Sequence, residues 1–297
     1  MNSKRHENIV IPATIQGYTI HDLLLQAETR LQPLSQTPRL DAEILLAHCL
    51  NQSRSYLHAW SDLCPDSHHV EQFHRLLQRR IQEEPIAYLI GYQNFWSLQL
   101  RVTPDTLIPR PETELLVEQA LERLPAEQPA EILDMGTGSG AIALAIASER
   151  PHARLLATDN CQKALEVATY NAARLGINQV RFLQSHWYQQ LPAQPFDMIV
   201  SNPPYIDQDD DHLHALRHEP LAALCPVGNR PDDGLSALDE IIHHAPDRLK
   251  SGGWLILEHG FAQQEAVMDR CREAGLVEIS GHTDLAQLPR IVCARKS

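Results

Sequence analysis

Glu131-Ile132-Leu133-Asp134-Met135-Gly136-Thr137-Gly138-Ser139-Gly140, with the apolar residues 141–147 behind it, is the stretch whose reading decides the fold. Residues 131–133 read as a buried strand, residues 141–147 as the start of a buried helix, and the glycines between them as a tight turn. Glycines at that junction let a ligand approach the backbone at the helix N-terminus. The spacing meets the dinucleotide fingerprint, with Gly136, Gly138 and Ala141 at its three positions, so a nicotinamide or flavin site has to be weighed. Asp159 ends the next expected strand about twenty residues on, where a carboxylate accepts ribose hydroxyls. Nucleotides and adenosyl cofactors both need such a group, and a helix cap ahead of Gln162 and Leu165 is the plainer alternative for Asp159.

Outward from that unit the chain alternates strands and helices. Strands are expected at residues 131–133, 154–158, 180–183, 196–200, 254–258, 277–281 and 291–294, with intervening helices, which makes a doubly wound α/β sheet. A helix over residues 112–124 precedes it. Residues 18–84 have helical periodicity instead: Leu23, Leu24, Ala27 and Leu31 share a face, Pro38 suits a first helical turn, and Phe73, Leu76, Leu77 and Ile81 mark a third helix. Between the two lies a connector, residues 85–111, which opens at Pro85, alternates as a hairpin near residues 92–102 and ends in Pro104, Pro109 and Pro111. Residues 1–17 lack periodicity and read as a loose extension, which leaves residues 112–297 as the α/β domain.

A second stretch carries the chemistry. Ser201-Asn202-Pro203-Pro204-Tyr205 follows the apolar strand Phe196-Asp197-Met198-Ile199-Val200. Two consecutive prolines supply no N–H and hold φ near −65°, so the loop is stiff and offers carbonyl oxygens. The side-chain oxygen of Asn202 and the carbonyl of Pro203 can receive both hydrogens of one planar NH2 group, leaving the nitrogen face open, with Tyr205 as an apolar wall. Such a clamp has no evident use in hydride transfer and an obvious one in methyl transfer. Together with the glycine loop it implies S-adenosyl-L-methionine, whose sulfonium methyl is electrophilic without a Ser, His or Cys nucleophile.

Bulk properties narrow the classes. Hydrophobic residues at 43% and charged ones at 21% are globular values, and no apolar run approaches a membrane span. The N-terminus leads into no apolar signal core, so a cytoplasmic protein is expected. The 6 cysteines are scattered without a Cys-x-x-Cys pair, and no metal site is assigned, including to His212, His214 and His218 beside Asp207, Asp209, Asp210 and Asp211. A net charge of −13, with 8 basic against 10 acidic residues over residues 1–84, does not favour nucleic acid or supply a basic arm.

Further segments carry a resemblance. Arg39-Leu40-Asp41-Ala42-Glu43-Ile44-Leu45-Leu46, Glu84-Pro85-Ile86-Ala87-Tyr88 and Thr106-Leu107-Ile108-Pro109-Arg110-Pro111-Glu112-Thr113-Glu114 stand ahead of the glycine loop. Arg217-His218-Glu219-Pro220 and Leu257-Glu258-His259-Gly260 follow the Asn202 loop. In this order and spacing the chain, from about Thr19 to Arg295, resembles the release factor glutamine methyltransferases. That resemblance implies a Rossmann-like class I methyltransferase domain and methylation of the side-chain amide nitrogen of glutamine in the Gly-Gly-Gln tripeptide of class-1 peptide chain release factors. It also implies that Gly136, Thr137, Gly138, Ser139, Gly140, Asp159, Trp187 and Asn202 line the cofactor site, and that Asn202, Pro203, Pro204 and Tyr205 hold the glutamine.

Two further residues are expected near the cofactor. Arg110, the connector's one cation between prolines, suits the methionine carboxylate, or else a pair with Glu112 or Glu114. His186 stands before Trp187 where the family usually has an acidic residue to accept an adenine amino hydrogen; a neutral imidazole also accepts, so cofactor binding should weaken once the ring is protonated. Glu219 and Glu258 are read as structural residues that order the loop and cap a strand end. The helical domain is expected to grip the release factor away from the tripeptide. A nucleic-acid exocyclic-amino methyltransferase and a silent adenosylmethionine-binding adaptor are the competing readings, since a base NH2 presents the same two donors.

Overall fold

The structure, a computed structural model, describes residues 17–226 and 234–297. The expected N-terminal extension falls outside the described residues except for Gly17. The described residues divide into two compact units, one ending at Ile90 and the other beginning at Gly91.

The first unit is helical: α1 (Ile20–Leu31), α2 (Pro38–Leu50), α3 (Arg54–Ala59), α4 (Ser67–Ile81) and α5 (Ile86–Ile90). Thr19 starts α1 with a capping box, its hydroxyl accepting from Asp22 N–H while the Asp22 carboxylate accepts from Thr19 N–H. Asp66 caps α4 by accepting from His69 N–H at 3.1 Å. Leu23, Leu24, Ala27 and Leu31 do share the buried face, against Leu45, Leu46, Phe73 and Leu77. The short helices α3 and α5 escape a periodicity reading because neither spans two turns.

The segment beginning at Arg39 owes its pattern to buried charge. Glu43, 3% exposed, accepts from Arg39 Nε at 2.9 Å and Arg54 Nη2 at 2.7 Å, joining α2 to the start of α3. Asp41 accepts from Arg80 Nε at 2.9 Å, joining α2 to α4. Burial acts to raise the Glu43 carboxyl, and its hydrogen bonds to Arg54 and Arg39 more than offset this, leaving it below the usual range.

The second unit begins with the hairpin β1 (Tyr92–Phe95) and β2 (Leu98–Arg101), paired antiparallel. A 3-10 turn, Pro111–Thr113, leads into α6 (Glu114–Arg123), so Pro111 delays the helix expected from residue 112. Then follow β3 (Glu131–Met135), α7 (Ala141–Glu149), β4 (Arg154–Asp159), α8 (Gln162–Leu175), β5 (Val180–Gln184), β6 (Phe196–Ser201), α9 (Ser236–Arg248), β7 (Leu249–Glu258), α10 (Gln264–Glu273), β8 (Val277–Thr283) and β9 (Pro289–Arg295). All seven expected strands are present in one sheet of order β5-β4-β3-β6-β7-β9-β8. Pairing is parallel except that β9 runs antiparallel to both neighbours. The sheet is therefore mixed and doubly wound. Among the described residues no helix is long and apolar enough to cross a membrane.

Both faces of the sheet are covered, as the strand sequences require. Ile132, Met198 and Val200 pack toward α6 and α7, while their neighbours Leu133 and Ile199 pack toward α9 and α10. Every residue from Ala141 to Ala147 in α7 is buried, which explains a run too apolar for a surface helix.

One polar side chain ties the hairpin to the glycine loop. Asn171 of α8 is fully buried; its Nδ2 donates to Ser139 O at 2.9 Å and Arg101 O at 3.0 Å, and its Oδ1 accepts from Arg101 N–H at 2.8 Å. Asn171→Ala strands these backbone groups without partners. It should cost about 2 kcal/mol or more of stability, read as a lower denaturation midpoint at unchanged slope. An unchanged midpoint would show that the tie is dispensable.

Candidate active site

The chain lays β3, β4 and β5 outward in one direction, then returns to place β6 on the other side of β3. Where the order reverses, the connections leave in opposite directions and a crevice opens at the carboxyl ends of the strands. The glycine loop follows β3, Asp159 ends β4 and Asn202 follows β6, so three distant segments meet there.

Gly136, Gly138 and Gly140 have φ of +72°, +55° and +85°, a run that side chains rarely tolerate. Gly136 and Thr137 N–H both donate to Thr158 O at 2.9 Å, and Gly138 N–H donates to Asp159 Oδ2 at 2.9 Å. A Cβ on Gly140 would stand 3.0 Å from Leu144 Cδ1 and 3.2 Å from Ala168 Cβ, so this glycine permits close packing of α7 on α8. Asp159 Oδ1 also accepts from Cys161 N–H at 2.9 Å. Burial raises the Asp159 carboxyl, and these backbone hydrogen bonds oppose the shift. Each oxygen keeps lone pairs for a further donor.

A cavity of about 410 Å³ fills the crevice. Gly136, Gly138, Asp159, His186, Trp187, Asn202 and Pro204 line it. Thr137, Ser139 and Gly140 shape the loop from behind: Thr137 and Ser139 are buried, with the Thr137 hydroxyl donating to Asp134 Oδ2 at 2.6 Å. Trp187 sits at φ +47°, and the Ser185 hydroxyl donates to its carbonyl at 2.8 Å, a restraint on an unfavourable conformation beside the cavity. Asp105, Leu107, Cys161 and Ser185 also line the cavity and escape a sequence reading, although Leu107 lies inside a quoted connector segment.

A second cavity of about 170 Å³ adjoins the first, sharing Leu107, Asn202 and Ala223. Arg110, Pro203, Tyr205 and Leu216 complete much of its lining. Arg110 thus belongs to the smaller cavity, and its Nη2 donates to Glu219, not to Glu112 or Glu114. Glu219 also accepts from Ile108 N–H at 3.0 Å, and Glu114 accepts from Trp96 N–H at 2.7 Å.

Asn202 stands between the two cavities. Its Nδ2 donates to Thr113 Oγ1 at 3.2 Å, while its Oδ1 and the carbonyl of Pro203 take no hydrogen bond among the described residues. The Tyr205 hydroxyl donates to Glu258 Oε1 at 3.0 Å, and Gln263 Nε2 donates to the Tyr205 carbonyl at 3.1 Å. The loop is held at its far end and presents two adjacent unfilled acceptors. Among the described residues no group of three or more His, Cys, Asp or Glu side chains is placed to hold a metal.

Comparisons with known proteins bear on the family of the chain. Residues 112–230 match the family model for the methyltransferase small domain, and residues 22–91 match that for the PrmC N-terminal domain. The chain is 48% identical to the release factor glutamine methyltransferase of Coxiella burnetii, over 90% of its own length and 95% of the relative's. It is 46% identical to the release factor glutamine methyltransferase of Escherichia coli, over 92% and 97% of the two chains. A crystal structure of a methyltransferase from Pyrococcus furiosus, 18% identical, superposes with a TM-score of 0.51 over 74% of this chain and 98% of that one, a likeness of fold.

Asp134 beneath the glycine loop gives a test of its burial. Desolvation pushes its carboxyl up to about 7, the Thr137 hydrogen bond opposes this, and the charge of Asp159 adds to it. The folded chain therefore holds a proton that the unfolded chain releases near the ordinary carboxylate range, and that contribution to stability is lost as pH rises toward 7. Asp134→Asn imitates the protonated form. Its thermal midpoint should gain on the wild type between pH 4.5 and 7.5 and hold a constant lead above; a pH-independent difference would contradict the burial argument.

Proposed function

The chain belongs to the release factor glutamine methyltransferase family, and from that membership we propose that it transfers a methyl group from S-adenosyl-L-methionine to the side-chain amide nitrogen of the glutamine in the Gly-Gly-Gln motif of class-1 release factors. S-adenosyl-L-homocysteine is the product. The observation that carries the reading is the pair of unfilled acceptors, Asn202 Oδ1 and the Pro203 carbonyl, on the wall between a large and a small cavity.

The large cavity fits the cofactor. Its Asp159 carboxylate has lone pairs free for ribose hydroxyls, the backbone of Gly136 and Gly138 lies open at its floor, and Trp187 offers an aromatic face for adenine. His186, exposed beside Trp187, is an acceptor for the adenine amino group. When bound, the cofactor supplies an electrophilic methyl group on a sulfonium.

The chain's own residues supply position. An amide nitrogen is a poor nucleophile because its lone pair is conjugated with the carbonyl. Hydrogen bonds from its two N–H groups to Asn202 Oδ1 and Pro203 O hold it and grow stronger as the nitrogen becomes pyramidal and positive. The prolines cannot relax away from this geometry, so little of the binding energy is lost in ordering the loop. With the cofactor bound, its methyl group would pass to the amide nitrogen held by Asn202 and Pro203, S-adenosyl-L-homocysteine would leave, and the displaced N–H proton would pass to water.

We infer that the helical unit grips the release factor. Trp60, 57% exposed, and Leu25, 52% exposed, are large apolar side chains left to solvent on a unit that has its own complete core.

Labelled cofactor with a release factor and its Gly-Gly-Gln Gln→Ala variant tests the assignment. Label should appear on the natural factor alone; label on nucleic acid only, or on nothing, would overturn it in favour of a base methyltransferase or a silent binder. Asn202→Ala should lower kcat about 10²-fold. Trp60→Ala should raise KM for the whole factor about tenfold with kcat unchanged, and an unchanged KM would remove Trp60 from the docking surface.

A further inference from the structure

Two segments outside the acceptor loop, the connector through Thr113 and the end of β7, meet behind Asn202. The parallel register sets Ser201 beside Leu257, so the next residues, Asn202 just past β6 and Glu258 at the end of β7, lie side by side. Thr113, 4% exposed, receives Asn202 Nδ2 on its hydroxyl oxygen at 3.2 Å. Glu258, 1% exposed, takes the Tyr205 hydroxyl on Oε1 at 3.0 Å, and the Thr113 hydroxyl lies against the same carboxylate. Its buried Oε2 has no hydrogen-bond partner among the described residues, so the Thr113 hydroxyl beside it has an acceptor to turn to.

We propose that Thr113 and Glu258 are positioning residues that decide which end of the Asn202 side-chain amide faces the methyl acceptor. This rests on the reading of Asn202 as the acceptor of the substrate NH2 group. A primary amide has two ends of nearly equal shape and opposite hydrogen-bonding sense. Only the oxygen end holds an NH2 group; the nitrogen end repels it. Thr113 has a single hydroxyl hydrogen, and an ionised carboxylate only accepts, so that hydrogen goes to Glu258. The hydroxyl then turns a lone pair to Asn202, Asn202 answers with Nδ2, and Oδ1 is left toward the cavities. The opposite orientation takes the hydroxyl hydrogen away from a buried carboxylate, a costly loss. Tyr205 is fixed by the same carboxylate, so Glu258 holds both ends of the loop.

The surroundings of Glu258 bear on its charge. Burial pushes its carboxyl up to about 7; Thr113, Tyr205 and Arg290 favour the ionised form, and Glu112 disfavours it. The two hydroxyl donors are thus part of what keeps it an acceptor.

The test uses the full chain with Thr113→Val, Thr113→Ser and Glu258→Gln. Thr113→Val keeps the shape and loses the relay, so kcat on a release factor should fall about tenfold or more while KM for S-adenosylmethionine and the unfolding midpoint stay near wild type. Thr113→Ser should recover most of that loss. Glu258→Gln can donate to Thr113, reverses the relay and should also lower kcat. A second readout needs no methyl acceptor: the side-chain NH2 signals of Asn202, identified by their loss in Asn202→Asp, should exchange slowly with water in the wild type and faster in Thr113→Val. Wild-type turnover and slow exchange in Thr113→Val would overturn the proposal. So would a loss that Thr113→Ser fails to recover and that tracks a lowered unfolding midpoint, which marks a purely structural role. If Glu258→Gln does not fold, the Thr113 pair decides. If the wild type labels no release factor, the exchange readout still judges the relay apart from the assigned substrate.

Discussion

The reversal of strand order at β3 is the constraint on which the rest of the second unit depends. With β4 on one side and β6 on the other, the segments after β3, β4 and β6 diverge from adjacent points. Parallel pairing aligns their carboxyl ends: Met135 lies beside Thr158 on one side and Ser201 on the other. The glycine loop, Asp159 and Asn202 are therefore neighbours without any of them having to search for the others. Packing on both faces makes this placement rigid, since each strand alternates residues between two separate apolar layers.

On that frame the site is built from carboxylates withdrawn from water. Asp134, Glu219 and Glu258 are buried and Asp159 is half-buried, and each is met by donors from the loops it organises. Asp159 receives the backbone of the glycine loop, Glu219 holds the connector at Ile108 and Arg110, and Glu258 holds Tyr205. Low local dielectric makes these bonds strong and makes a missing partner expensive. The acidic composition thus has a structural side: part of the excess negative charge orders loops from inside the molecule. Where the two cavities meet, the acceptors presented are neutral, an amide oxygen and a proline carbonyl, suited to receiving an NH2 group and then a partial positive charge.

The helical unit shows the same economy on a smaller scale. Asp41 and Glu43, side by side along α2, are buried and bind arginines from three other positions. The charges of that segment are an internal brace of this unit, and its exposed large aromatic side chain lies elsewhere, at Trp60.

Much was legible in the chain by itself. Seven strands, the helical unit and the hairpin follow from periodicity and from proline and glycine, because these record local geometry and burial. The stiff acceptor loop at Asn202 follows from proline's lack of an N–H. Short α3 and α5 were not legible, being under two turns long. Neither was the division of the named residues between two cavities: Thr137 and Ser139 are buried behind the loop, and Arg110, which lines the smaller cavity, meets Glu219, 109 residues distant. Glu258 is legible as a residue at a strand end, but its partner Tyr205 is not, and Asn171 carries no signal at all. Local chemistry is written in neighbouring residues, so the sequence alone determined the elements and the kind of group the loop accepts. Which buried donor meets which buried carboxylate depends on strand order and register, relations between residues far apart in the chain, and these only the tertiary structure decided.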